Sequence, residues 1–207
     1  MEHEAIPSWR IAIDEWNFAL ELPLWIRAAE RINVPAGGMV PGPLDVDPLP
    51  AASEGERTGL AEGWHAWWHD VIDASRATIP SEDYRHVRVH GPSALSYAPP
   101  DFAGLADWPD LARIVRARWT EAERWNHRRK RRGAAELMPS RTNGDIVADV
   151  EAELGHAAAP FELEFVLLPV LDERVRRVRD LRFLVPERFY TGPRWPQWLR
   201  GLVRSVA

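Results

Sequence analysis

The chain has no cysteine. That absence excludes disulfides, a thiolate nucleophile, cysteine-type zinc sites and cysteine-held iron–sulfur clusters. Lysine is almost missing too, with one residue against twenty-five arginines. The single candidate for a Schiff base is therefore Lys130, which lies inside Arg128-Arg129-Lys130-Arg131-Arg132. Four flanking cations at a helix end are a poor setting for a desolvated amine. A phosphate loop needs Gly directly before its Lys, and Arg129 stands there. Neither Gly-x-Gly-x-x-Gly nor His-Glu-x-x-His occurs, and Gly91-Pro92-Ser93-Ala94-Leu95 lacks the second glycine of a nucleophile elbow. No cofactor is expected on these grounds.

Long apolar runs are also lacking. The longest, Phe165 to Leu171, contains Pro169 and falls well short of the roughly 18–20 residues of a membrane span. The first residues, Met-Glu-His-Glu, carry two acids and no basic region ahead of an apolar segment. The expectation is no membrane, no secretory signal and a cytoplasmic location.

What is present is 207 residues with 45% apolar side chains, enough for one globular core or two small lobes. Eighteen prolines and eleven tryptophans stand out. The arginine excess, beside abundant Ala, Pro and Gly, reads first as the codon usage of a GC-rich genome. Charge is unevenly spread: residues 1–100 hold 7 basic and 15 acidic side chains, residues 101–207 hold 19 and 16, and the total is −5. An acidic chain is not a general coating protein for nucleic acid, whose non-specific affinity comes from neutralising phosphates. The polarity permits attraction between the halves, or a basic patch that meets an anionic partner.

Periodicity predicts mostly helix, with no internal repeat. Trp9, Ile13, Trp16 and Leu20 recur at helical spacing from Ser8. A strand reading competes, because Trp16, Phe18, Leu20 and Leu22 alternate. Pro23 is expected to break or kink the chain and open a second helix to about Ile32. Residues 33–53 hold five prolines and three glycines, which suggests an extended strap on a surface, or else a lid. Ser53 and Glu56 form a candidate capping box before the clearest helix, whose apolar arc holds Leu60, Trp64, Trp67, Trp68, Val71 and Ile72. After the irregular stretch 79–100, with a potential short strand at His86–His90, a long helix spans Trp108–Arg132 with Asp107 as its cap. Another runs from about Gly144 to Leu154, stopped by Gly155. Strands are expected near 161–168 and 181–185, as a hairpin or near neighbours across an arginine-rich connection. A last helix covers Pro193–Val206. The fold class is α+β, predominantly helical with a small late β-sheet and amphipathic Trp-rich helices. The chain reads as a single domain, 1–207, with potential lobes at 1–78 (helical, acidic) and 101–207 joined by 79–100.

Three constellations are candidates for chemistry. His65 and His69, four apart on a helix, and His86 and His90, four apart again, could converge on a transition metal. In projection, however, His65 sits at the edge of the core arc and His69 nearly opposite it, which favours solvated side chains. Arg128, Arg129, Lys130, Arg131 and Arg132 are the strongest charge feature and a candidate anion- or partner-binding group. Their directions run all round the helix axis, unlike a groove-reading helix. Arg174, Arg176, Arg177, Arg179 and Arg182 form a second cluster. Arg118 falls on the apolar arc of the long helix, so it must be paired, against an acid of the first helices or against a ligand. The pairs Asp45/Asp47 and Glu162/Glu164 could hold a divalent cation, though glutamates neutralising the arginine-rich connection are the plainer reading.

With no assembled catalytic motif, two proline-rich straps and Trp-rich helices, the expected role is binding. The expectation is a non-catalytic accessory or regulatory subunit with a protein partner of unknown identity, nucleic acid being disfavoured. The alternative is a metal-assisted hydrolase or lyase built on the histidine pairs with an arginine clamp.

Overall fold

The computed structural model describes residues 8–46, 49–54, 59–76, 96–133 and 142–207. These hold six α-helices and a four-stranded mixed sheet, an α+β architecture. The chain divides into two compact units, residues 16–131 and residues 1–15 with 132–207.

The discontinuous unit is built on the sheet. Its first strand, β1 (Arg10–Asp14), lies where the amino-terminal helix was expected. Ile11 and Ile13 are β-branched and alternate, and they pair in parallel with Leu163 and Phe165 of β2 (Glu162–Leu168). A partner strand about 150 residues away supplies backbone hydrogen bonds that local periodicity does not reveal. β3 (Arg176–Arg179) and β4 (Arg182–Pro186) complete the order β1-β2-β4-β3. The two late strands expected from the sequence are near neighbours, β2 and β4, paired in parallel. The hairpin is instead β3–β4, and β3 is part of the segment expected to be a connection.

One face of this sheet carries Leu163, Phe165, Leu167, Phe183 and Val185. Onto it pack α4 (Asn143–Leu154), the short α5 (Glu187–Tyr190) and α6 (Trp195–Val206) through Ile146, Val150, Phe189, Trp195, Leu199 and Val203. α4 opens with a Thr142–Asp145 capping box and ends at Gly155, whose φ of 75° needs a residue without Cβ strain. The Trp195 indole donates to Asn143 Oδ1 at 3.0 Å, tying α6 to the start of α4.

The continuous unit contains α1 (Phe18–Ala29), α2 (Leu60–Arg76) and α3 (Pro109–Gly133). Asn17 caps α1, accepting the Leu20 amide at 3.2 Å. Pro23 lies inside α1 without dividing it, contrary to expectation, because the helix is held on both sides by packing. Its carbonyl accepts the Trp64 indole N–H of α2 at 2.6 Å. Trp64 stacks on Trp68 at 5.7 Å, and the arc expected on α2 is buried throughout. Ser53 does not cap α2, which begins seven residues later; its amide and hydroxyl donate to Glu30. Glu56 and the expected strand at His86–His90 lie outside the described residues. Pro109 takes the first position of α3, so the capping carbonyl belongs to Trp108 and not to Asp107. Among the described residues no helix is long and apolar enough to cross a membrane.

Candidate interaction surface

Two buried carboxylates organise the continuous unit. Glu30, with no exposed surface, meets Arg118 Nε at 2.6 Å. The same guanidinium reaches Glu121 at 2.7 Å and donates to the Ala51 carbonyl, and it lies 5.7 Å from the Trp25 ring. Arg118 therefore has the paired environment that an arginine on an apolar arc requires, and its partner is an acid at the end of the first helix. Glu21, equally buried, accepts from Asn126 and Arg129, while Arg129 lies 4.6 Å from the Trp16 ring.

These contacts also fasten the proline-rich segment. Arg27 donates to the carbonyls of Pro41 and Gly42 and covers Trp64 at 4.9 Å. Trp68 donates to the Met39 carbonyl at 3.0 Å, and Val40 and Leu44 are buried. Arginine forks are suited to this task because each carries several donors in one plane. Residues 39–44 are thus fastened to α1 and α2.

The basic run separates into two environments. Arg129 is half-buried against Glu21, whereas Arg128, Arg131 and Arg132 are exposed and Lys130 is half-exposed. Among the described residues those four make no ion pair. Taken alone, 128–132 do point all round the axis. Taken with the rest of α3, two of them extend a longer feature. Arg113, Arg116, Arg124, Arg128 and Arg131 are all exposed and fall within an arc of about 120° at 100° per residue, with His127 among them. The stripe runs about 27 Å along the helix at 1.5 Å per residue. Asp110, in the first turn, is the carboxylate on this arc, and it pairs with Arg113 at 3.3 Å. Arg116 donates to the Asp101 carbonyl and Arg124 to the Thr120 carbonyl, contacts that leave their positive charge uncompensated. The available signal was the same helical projection applied to all 25 residues instead of the run of five.

The second arginine cluster is largely consumed internally. Arg176 pairs with Asp172, Arg177 with Asp180 at 3.2 Å, and Arg179 and Arg182 with Glu164 at 3.5 and 3.4 Å. Burial lowers the Arg182 pKa, an effect the nearby Glu164 and Asp14 oppose. Glu162 faces Arg10 of β1 at 3.7 Å. Glu164 thus neutralises the arginine-rich segment as expected, while Glu162 serves the neighbouring strand. Asp45 is exposed, and Asp47 lies outside the described residues.

On α2, His65 and His69 are both exposed, with ring centroids 4.5 Å apart and planes tilted by 52°. His86 and His90 lie outside the described residues. Among the described residues no group of three or more histidines and carboxylates could hold a metal ion.

No family model, no curated protein and no solved structure matches this chain.

Proposed function

We propose that this chain is a non-catalytic, cytoplasmic accessory subunit that binds an acidic segment of another protein along the exposed face of α3. The observation that carries the reading is the arginine stripe Arg113, Arg116, Arg124, Arg128 and Arg131, five exposed cations with one carboxylate, Asp110, at the start of the arc, on a chain whose net charge is −5. Guanidinium groups pair with carboxylates in bidentate geometry, and a row of them steers an acidic partner and fixes its register. Its length of about 27 Å matches some eight residues of extended peptide or five turns of helix. The overall acidity of the chain disfavours a long polyanion such as DNA, which would meet repulsion beyond the stripe.

The reading is tested by fluorescence anisotropy with a labelled poly-glutamate peptide and a labelled DNA duplex of equal charge. The wild-type chain is expected to bind the peptide, and the Arg116→Glu/Arg124→Glu/Arg128→Glu variant at least tenfold more weakly. Arg174→Glu, an exposed change off the stripe, leaves affinity as it was. Equal peptide affinity in the triple variant, or tighter binding of the duplex, overturns the proposal.

A further inference from the structure

We infer that His65 and His69 form a two-histidine clamp for a late first-row divalent ion (nickel, copper or zinc) on the solvent face of α2. This site is independent of the arginine stripe and needs no catalytic role. The two residues are one helical turn apart, a spacing that sets their side chains over the same patch of surface. Their rings have already converged, with centroids 4.5 Å apart. Two imidazoles bound to one ion at right angles, with metal–nitrogen bonds near 2.1 Å, place their centroids about 4.6 Å apart. The observed centroid spacing matches that separation. Imidazole nitrogen suits nickel, copper and zinc, and affinity should follow the Irving–Williams order among them.

The surroundings favour a cation. Glu62 and Asp73 lie on the same arc as the two histidines, within about 80° at 100° per residue, and Glu62, Asp70 and Asp73 are all exposed. Among the described residues no third side chain completes a ligand set, so the clamp supplies two nitrogens and leaves the remaining positions to water. An ion held this way exchanges readily and sits where another molecule can add a ligand.

The test is titration of the untagged full chain with nickel or zinc chloride by calorimetry at neutral pH, together with thermal unfolding. His65→Asn and His69→Asn are each expected to lose one site per chain and to abolish the ion-induced rise in Tm. Both positions are exposed, so the Tm of each metal-free variant should match that of the wild type. If the single variants keep the wild-type number of sites and affinity, or if the wild type takes up no ion at millimolar concentration, the inference is overturned.

Discussion

Gly63 and Trp108 show how a single residue sets the spacing of two elements. A Cβ built on Gly63 would stand 2.8 Å from the Trp108 ring, which lies across α2 at that point. Replacing glycine by alanine in an exposed helix interior normally stabilises by about 1 kcal/mol. Here Gly63→Ala is expected to destabilise by about 1–3 kcal/mol, because the indole must shift. A urea titration in which the variant is as stable as the parent contradicts this packing. Arg118 is a second case. Arg118→Met removes the guanidinium 2.6 Å from the buried Glu30 carboxylate, and the loss expected is about 3–5 kcal/mol. Adding Glu30→Gln should recover part of that loss, and a double-mutant cycle with no coupling counts against the pair. The need for a partner at Arg118 was legible in the sequence, since the residue breaks an apolar arc. Which acid answers it was not, because Glu30 is 88 positions away and only the packing of α3 along α1 brings them together.

At the scale of elements, helices with one strong apolar face were readable and the first strand was not. The arc of α2 is buried as periodicity predicts, and α3 and α6 span nearly the ranges expected, because each buries its stripe against whatever lies opposite. β1 has five residues and an ambiguous pattern, and the register with β2 decides it. The contact between α4 and α6 rests partly on charge, with Arg200 bonded to Asp149 and Glu153, and Arg204 to Glu153. The hydrogen bond from Arg204 holds the Glu153 carboxyl below its usual value of 4.5, assisted by the charge of Arg200. A carboxyl depressed in the folded state contributes stability above that value, and the contribution is lost as pH falls through the folded value. The wild-type Tm should therefore drop more steeply than that of Glu153→Gln when pH is lowered from neutral into the acid range. Both groups are exposed, so the difference should shrink in high salt. Parallel pH profiles for the two proteins would refute the contribution.

For the molecule as a whole, the tryptophans and the arginines divide the work. None of the eleven tryptophans is exposed: Trp25, Trp64, Trp67, Trp68, Trp125 and Trp195 are buried and the other five half-buried. Trp25 lies under Arg118 and Trp108 against Gly63. The structure therefore withdraws the aromatic side chains from the argument for a partner surface and leaves it to arginine. Quenching of tryptophan emission by iodide and by caesium should be weak for the folded chain and rise several-fold on unfolding. Strong quenching in the folded state would place tryptophans on the surface.

The sequence by itself determined the class of the molecule: helical faces heavy in tryptophan, a small late sheet, no cysteine chemistry and an acidic total with a basic second half. These follow from composition and from periodicities that repeat within a few residues. Tertiary structure decided which charges are spent inside and which remain outside. Arg27, Arg118 and Arg129 are taken up by carbonyls and carboxylates far away in the chain, while Arg116, Arg124, Arg128 and Arg131 face water on one side of α3. The physical reason is that an arginine's partner is set by packing and not by sequence spacing. The absences noted at the outset exclude chemistry, but only the fold shows where the remaining charge can act.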